Sequence, residues 1–316
     1  MRIVYLGSGD IGLPTLHALL QARAEGRHEL AAVITQPDRP VGRHQTLTAS
    51  PIKDAALTAG VPVLQPERIR RPEAVQAVQA LHADVFVVFA YGQILPPAVL
   101  DAPRVACLNL HASLLPKHRG AAPIHAAVLA GERESGLTVM YMDPGLDTGD
   151  ALLERRLPLR RRETAGSLHD RLAELAPEAL FEALDKLAAG RAPRQPQDNP
   201  RATYAPKLEK ASGRIDWTAD HLTLDRFVRG MTPWPGAFTA LPGTRPLTLK
   251  VHTALPVRRC LGAAGEIVRA GERGILVAAG GGGGLLLRSV QLEGKRRIGA
   301  AEFLRGFPLE PGMRLG

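Results

Sequence analysis

The first two thirds of the chain alternate short apolar runs with segments whose apolar residues recur at helical spacing. The apolar runs predict buried strands over residues 2–7, 30–34, 83–89, 105–110 and 137–142. The helical spacing predicts helices over residues 14–23, 52–60, 72–81, 124–129 and 167–188. Strands that alternate with helices in this way predict an α/β fold with a doubly wound, Rossmann-like and mostly parallel sheet.

The last third of the chain has a different pattern. A helix over 221–230 is followed by short apolar runs that glycines separate, at 238–241, 247–252, 265–268, 275–278 and 285–291. Closely spaced short strands of this kind, with a further one at 213–217, predict a small OB-like β-barrel domain. Proline, arginine and glutamine dominate residues 191–206, which we interpret as a linker. The expected domains are 1–190 and 207–316.

Length and composition further restrict the class of protein to which the chain can belong. A chain of 316 residues can bury two cores. It has no apolar run long enough to span a bilayer and no evident signal peptide, which predicts a protein without membrane contact. Cys107 and Cys260 are far apart and have no metal-ligand spacing. We therefore expect a cytoplasmic protein without a disulfide framework or a metal site.

The positive charge is concentrated in the last third. Residues 201–316 carry 18 Lys and Arg against 9 Asp and Glu, whereas residues 1–200 carry 22 of each. A basic module beside a neutral one predicts a polyanionic partner. Few aromatic residues accompany these charges, which favours contact with a duplex backbone over base stacking. The candidate contacts are Arg226, Arg229, Lys295, Arg296 and Arg297.

A glycine-rich turn follows the first predicted strand. Gly7, Gly9 and Gly12 form a GxGxxG pattern, and Asp38 lies further along, so the segment formally matches a dinucleotide-binding fingerprint. Pro37 directly precedes the acid and leads into irregular sequence, and the candidate catalytic residues follow a later strand. We interpret the segment as a tight strand-to-helix turn, with an NAD-dependent oxidoreductase as an alternative.

Polar side chains that could take part in catalysis lie at or after the ends of the strands at 105–110 and 137–142. Asn109 and His111 are two residues apart, so an extended backbone places both on one face. An amide and a protonated imidazole can hydrogen-bond a developing oxyanion, and Asp147 could orient the imidazole or accept a proton. These residue types point to acyl transfer, but spacing alone also permits an Asn and a His that cap loops and an Asp147 in an Asx-turn.

The longer motif around these residues is more specific. Asn109-x-His111-x-Ser113-Leu-Leu-Pro116, Arg119-Gly-Ala-Ala-Pro123 and Gly145-Leu-Asp147-Thr-Gly-Asp150 together resemble the folate-dependent formyltransferases. The resemblance implies 10-formyltetrahydrofolate as co-substrate, no metal, and a catalytic set of Asn109, His111 and Asp147. It also implies that the folate contacts Tyr91, Gly92, Ile94, Ser113, Leu114, Leu115 and Pro116. The glycine turn departs from the Gly-Thr-Pro-like sequence that is usual in the family.

A long polar connection spans residues 35–51 and contains Arg39 and Arg43. It resembles the insertion loop with which members of this family reach the acceptor stem of tRNA, and Arg43 matches the functional arginine of that loop. Together with the basic last third, it implies initiator methionyl-tRNA as partner of a monomeric enzyme. The alternatives are a folate hydrolase, a formyltransferase for a sugar nucleotide or glycinamide ribonucleotide, and a tRNA-binding module without activity.

Overall fold

The computed structural model describes residues 1–41, 46–243 and 247–316. Its helices are α1 (Leu13–Ala24), α2 (Pro51–Thr58), α3 (Pro72–Gln79), α4 (Pro97–Leu100), α5 (Pro123–Ala130), α6 (Ala165–Ala188), α7 (His221–Gly230) and α8 (Ala300–Gly306). Its strands in the first two thirds are β1 (Arg2–Gly7), β2 (Glu29–Ile34), β3 (Arg39–Val41), β4 (Thr46–Thr48), β5 (Val63–Leu64), β6 (Val85–Phe89), β7 (Ala106–His111), β8 (Arg119–Gly120), β9 (Glu134–Tyr141) and β10 (Ala151–Pro158). The strands that follow are β11 (Tyr204–Ala205), β12 (Ala237–Ala240), β13 (Thr248–Val257), β14 (Ile267–Gly271), β15 (Gly274–Ala278), β16 (Gly284–Leu292) and β17 (Ile298–Gly299).

The chain folds into two compact units. One comprises Met1–Gly120, Glu134–Pro158 and His169–Tyr204, and the other comprises Ala121–Arg133, Leu159–Leu168 and Ala205–Gly316. Among the described residues, no helix combines the length and the apolar character needed to cross a membrane.

The first unit is built on a seven-stranded mixed sheet in the order β10-β9-β7-β6-β1-β2-β5. β1 pairs in parallel with β2 and β6, and β6 pairs in parallel with β7. All five residues of β6 are buried and apolar, as expected for a central strand covered on both faces. The carboxyl ends of these parallel strands therefore share one edge, where residues 90–95 and 112–120 follow β6 and β7.

The sheet is mostly parallel, as expected, but one of its strands runs in the opposite direction. β9 runs antiparallel to β7, with Leu108 opposite Tyr141 and His111 opposite Thr138. β10 then pairs antiparallel with β9. Alternation of strands and helices does not fix the direction of β9 relative to β7. The connection over 142–150 is too short for a parallel crossover, which accounts for the antiparallel pairing of β10 with β9. The segment with Asp147 therefore follows a strand that runs opposite to β7.

The second unit contains an antiparallel sheet in the order β12-β13-β16-β15-β14, with β17 on β16. Its core includes Trp217, Leu249, Leu287 and Phe303. Helix α7 packs against β13. The carboxylate of Asp220, which precedes the helix, caps its first turn by accepting the N–H groups of Leu222 and Thr223. The strand expected at 213–217 is wrong: Gly213 ends a 3-10 helix over Lys210–Gly213, and the segment that follows pairs only through an isolated bridge between Arg214 and Phe238.

Candidate active site

His111 and Asp147 form the centre of the site. The Nδ1 atom of His111 lies 3.6 Å from Oδ2 of Asp147, and the two side chains are only 5% and 15% exposed. On the other side of the ring, Nε2 lies 2.9 Å from the carbonyl oxygen of His118. Both ring nitrogens therefore face oxygen atoms, one at hydrogen-bond distance and one at ion-pair distance.

Asn109 lies two residues before His111 on β7 and pairs with Met140 of β9. This spacing places its side chain on the face of the sheet that carries His111. Within the described ranges, no residue hydrogen-bonds the side-chain amide of Asn109. The half-buried amide can therefore donate to a ligand without breaking a contact of the fold.

Asp143 and Asp147, in the loop between β9 and β10, make different contacts. Asp143 accepts hydrogen bonds from the Gly145 N–H at 3.1 Å and from the Thr148 hydroxyl at 2.8 and 2.9 Å, so it caps the turn. Asp147 instead accepts the Gly120 N–H at 2.8 Å and adopts a left-handed backbone conformation with φ of +52°. The left-handed turn directs its carboxylate to His111, although the loop begins opposite Leu108.

The predicted folate segment after β7 is held by hydrogen bonds within the segment and to Thr138 of β9. The buried Ser113 hydroxyl donates to the Lys117 carbonyl at 2.6 Å, and Thr138 accepts the Leu115 N–H at 3.1 Å while donating to the Ser113 carbonyl at 2.8 Å. Leu115 is buried, and Leu114 and Pro116 are half-buried. The structure thus uses the Ser113 hydroxyl to fix the loop.

The predicted folate residues after β6 are arranged differently. Tyr91 places its ring in the core, where burial raises the pKa of its hydroxyl to about 12. Its carbonyl accepts a hydrogen bond from the Gln36 amide at 3.1 Å. Gly92 has a φ of +84°, and Ile94 is 88% exposed. An exposed apolar side chain beside a glycine turn, at the ligand-binding edge of the sheet, fits an aromatic ring system.

The side chain of Tyr5 packs against the glycine turn that follows β1. A Cβ at Gly7 would lie 2.6 Å from the Tyr5 ring, and one at Gly12 would overlap the Tyr5 hydroxyl. The N–H groups of Ser8 and Gly9 both donate to the Ala90 carbonyl. The glycines therefore make room for a buried tyrosine, and amides that a pyrophosphate would need are already bonded within the fold. This arrangement argues against the dinucleotide alternative.

The predicted tRNA contacts lie in several environments. Arg39 begins β3 and donates to Gln36 at 3.4 Å, while Arg43 lies outside the described residues. Arg226 is half-buried, with its guanidinium against Gly131. Arg229 is also half-buried and forms an ion pair with Asp225 at 2.9 Å.

The last basic cluster is exposed at the turn between β16 and β17. Lys295 is exposed, Arg296 pairs with Glu302 at 3.0 Å, and Arg297 donates to the Ser289 hydroxyl at 2.9 Å. Both arginine contacts lie at the surface, where such interactions are weak. The three cations are therefore available to a phosphate backbone, unlike Arg229.

Residues 195–203 hydrogen-bond the loops of this site, a contribution that their sequence does not predict. Gln195 pairs with Ala151 through two backbone hydrogen bonds of 2.9 Å, and Gln197 and Thr203 bond the loops of Asp147 and His118. The proline-rich composition carries no periodic signal of an ordered segment. Only the presence of amide side chains in an otherwise featureless stretch could have indicated specific hydrogen bonding.

Comparison with known proteins gives the same result at the levels of family, sequence and fold. The formyl transferase family model matches residues 1–184, and the model of the formyl transferase C-terminal domain matches residues 207–308. The chain is 48% identical over 316 residues to the methionyl-tRNA formyltransferase of Geobacter sulfurreducens, covering 100% of this chain and 97% of the relative. It is 47% identical over 317 residues to that of Methylacidiphilum infernorum, covering 100% and 98%.

Solved structures with lower identity share the fold. WlaRD, a sugar 3N-formyl transferase, has a TM-score of 0.66 at 16% identity, over 94% of this chain and 99% of that one. HypX from Aquifex aeolicus in complex with tetrahydrofolic acid has a TM-score of 0.63 at 20% identity, over 100% of this chain and 50% of that one. From the two domain matches and the full-length relatives, the chain belongs to the formyl transferase family.

Proposed function

We propose that the protein transfers a formyl group from 10-formyltetrahydrofolate to the amino group of methionyl-initiator tRNA in the cytoplasm, and so supports translation initiation. Relatives named as methionyl-tRNA formyltransferases match the whole chain at 44–48% identity. The observation that carries the proposed chemistry is the ion pair of buried His111 with half-buried Asp147, beside the Asn109 amide, which no described residue hydrogen-bonds.

Each of these three side chains has a defined part in the proposed reaction. Bound 10-formyltetrahydrofolate supplies the formyl group. When the amine of the aminoacyl end attacks the formyl carbon, negative charge develops on the formyl oxygen, and the Asn109 amide donates to it. His111 stabilises the same charge as an imidazolium, and Asp147 holds the ring and takes up the proton that leaves the amine. When the tetrahedral adduct collapses, the bond between the formyl carbon and the folate nitrogen breaks, and that nitrogen leaves with the proton that Asp147 had taken up. The fixed donors lower the barrier because they need no reorganisation during reaction.

The folate is held, in this proposal, by the two segments that follow β6 and β7. Ile94 offers an exposed apolar surface, and the turn at Gly92 leaves room for a ring beside the backbone. Ser113 to Pro116 form a wall that the Thr138 hydrogen bonds keep rigid. Tyr91 contributes backbone groups, since its side chain lies in the core.

The tRNA is held by cations, in this proposal, through its phosphate backbone. Arg39 and Arg43 belong to the connection over 35–51, and Lys295, Arg296 and Arg297 form the exposed cluster of the second unit. Of the two helix arginines we retain Arg226. We assign Arg229 a structural role, because its guanidinium forms an ion pair with Asp225.

We also propose that the second unit is an OB-like barrel. Its support is an antiparallel sheet of closely spaced strands whose pairing is irregular in β13 and β14, where the register shifts. Such bulges increase strand bending and help a sheet to curl. An experimental structure that shows a flat, open sheet would contradict this proposal.

The choice of amine is tested by comparing substrates. We expect kcat/KM for methionyl-initiator tRNA to exceed that for glycinamide ribonucleotide and for a dTDP-amino sugar by more than about 100-fold. The catalytic residues alone cannot distinguish these substrates, since all present an amine to the same formyl group. A higher kcat/KM for either small amine would keep the chemistry and overturn the substrate.

A further inference from the structure

Gln197 links three parts of the site through a single side chain. Its Nε2 donates to the carbonyl oxygen of Asp147 at 2.9 Å and to that of Gly149 at 2.7 Å. Its Oε1 accepts from Arg119, at 3.1 Å from Nε and 2.7 Å from Nη2. Both N–H groups and the oxygen of the amide are therefore used, which fixes its orientation.

The Asp147 loop needs such an anchor. Asp147 adopts a left-handed conformation that is unfavourable for a side chain larger than glycine. Two carbonyl groups of the loop converge on one amide, and no helix or strand includes residues 142–150. Without the Gln197 donors, the loop would lose the bonds that hold the backbone of Asp147 itself.

Arg119 fixes Gln197 in turn. Besides the two bonds to Gln197, its Nη2 donates to the Asn199 side chain at 2.7 Å, and its backbone N–H donates to the Thr203 carbonyl at 2.8 Å. The guanidinium thus bridges two side chains of the segment predicted as a linker. A planar group with several donors suits this bridging better than an ammonium group.

The segment over 197–203 also holds the backbone of His118, which contacts His111. Thr203 accepts the His118 N–H at 2.8 Å through its hydroxyl oxygen, and the His118 carbonyl lies 2.9 Å from His111 Nε2. Gly120, two residues further on, donates to Asp147. Residues 197–203 therefore brace the backbone groups that contact both ionisable residues of the site.

We propose that Gln197 is a positioning residue that holds Asp147 against His111, with Arg119 orienting its amide. This inference rests on the proposed function in one respect, the catalytic part of Asp147. Gln197 acts through the loop backbone and touches no reacting atom. Its removal is expected to lower turnover by displacing Asp147, while the fold and the affinity for both substrates are retained.

Two substitutions separate the donors of Gln197 from its acceptor. Gln197→Met preserves the side-chain length and removes every hydrogen bond, whereas Gln197→Glu keeps the acceptor for Arg119 and removes both donors. We expect kcat to fall on the order of 10- to 100-fold in both variants, with KM for tRNA and folate nearly unchanged. Gln195→Met is the matched control, because Gln195 is exposed and pairs with Ala151 through backbone atoms.

The second readout is the ring of His111 and does not depend on activity. In protein labelled with ¹⁵N-histidine, the His111 ring signals of both Gln197 variants should move toward their positions in Asp147→Asn. Those of Gln195→Met should stay at the wild-type positions. Thermal unfolding establishes which variants are folded. If Gln197→Met does not fold, Gln197→Glu alone tests the inference, because it retains the bonds from Arg119.

The outcomes are distinguishable. Wild-type kcat together with wild-type His111 signals in a folded Gln197 variant would overturn the inference. A wild-type enzyme that does not formylate methionyl-tRNA would contradict the proposed function instead. The shift of the His111 signals would then still decide whether Gln197 positions Asp147.

Discussion

His111 faces an oxygen atom on each side of its ring. The His118 carbonyl oxygen lies 2.9 Å from Nε2, within hydrogen-bond distance, whereas the Asp147 carboxylate lies 3.6 Å from Nδ1, at the distance of an ion pair. In the proposed reaction, the half-buried Asp147 carboxylate beside this ring accepts the proton that leaves the attacking amine. Asn109 adds a neutral donor that does not titrate.

Asp147→Asn tests this arrangement with a matched control in the same loop. We expect the substitution to lower kcat by about 10²- to 10⁴-fold, because the neutral amide neither accepts the proton nor stabilises the imidazolium. Asp143→Asn should retain most activity, since an asparagine can still cap the turn at Gly145. Steady-state formylation kinetics of both variants measure the difference. Equal losses would show that the loop needs two charges rather than one positioned base.

The glycine turn gives a second prediction at the residue scale. Gly12→Ala should lower the free energy of unfolding by about 1–3 kcal/mol, because the new methyl group overlaps the Tyr5 hydroxyl. Adding Tyr5→Phe should recover part of the loss, since the next Tyr5 atom lies 3.4 Å away. Urea unfolding compares the variants, with Gly271→Ala, which meets no atom within 4 Å, as control. No recovery in the double variant would exclude Tyr5 as the reason for glycine at position 12.

At the scale of elements, the sheet is held at the end opposite the site by Asp84. Its carboxylate accepts the Arg2 backbone N–H at 2.7 Å and two bonds from Arg104 at 3.0 and 2.6 Å. The Arg2 N–H, followed by the Arg104 guanidinium, holds the pKa of Asp84 below its usual value despite the opposing effect of burial. Residues just before β6 and β7 are thereby joined to the start of β1.

This lowered pKa predicts how stability depends on pH. Because folding favours the ionised form, Asp84 stabilises the fold fully above the unfolded pKa of about 4 and progressively less as pH falls through its lower folded pKa. Asp84→Asn should therefore be less stable than wild type by about 1–2 kcal/mol at pH 7. The difference should shrink below about pH 4. Urea unfolding at pH 7 and pH 3 measures it, and a constant difference would contradict the electrostatic explanation.

Strand and helix positions could be predicted from the sequence because they depend on local patterns. The all-apolar run of β6 and the helical spacing of α6 are examples. The direction of β9 could not be predicted, since it depends on pairing with β7, a strand distant in the sequence. The β3–β4 hairpin could not be predicted either, because its proline and polar residues carry no strand pattern.

The candidate site shows the same division. Asn109, His111 and Asp147 could be selected because they lie in a long motif whose residue types suit acyl transfer. Gln197 could not, since its contribution arises from hydrogen bonds with residues 48 to 78 positions away. Nothing in the local sequence distinguishes it from the exposed Gln195.

At the scale of the whole molecule, the charge distribution separates chemistry from recognition. The neutral first 200 residues contain Asn109, His111 and Asp147, and the last 116 residues account for the entire excess of positive charge. A partner recognised by phosphate contacts gains affinity from released counterions, so its binding weakens as salt is added. A small amine substrate would show much less of this dependence.

The exposed cluster at 295–297 tests this separation. Lys295→Ala with Arg297→Ala should raise KM for tRNA and flatten its dependence on salt by about one unit in a log–log plot for each phosphate interaction that the substitutions remove. KM for folate should be unchanged. Arg27→Ala, which removes one exposed charge from the first unit, is the control. An unchanged salt slope in the double variant would place the tRNA-binding cations elsewhere.

The most direct test follows a labelled formyl group from 10-formyltetrahydrofolate in the presence of methionyl-initiator tRNA. We expect wild-type enzyme to transfer the label to the tRNA fraction, from which mild alkali releases it as N-formylmethionine. Asp147→Asn should transfer almost none in the same time. Label that appears only as free formate, or that reaches the tRNA equally with Asp147→Asn, would contradict transfer to methionyl-tRNA by the His111–Asp147 site.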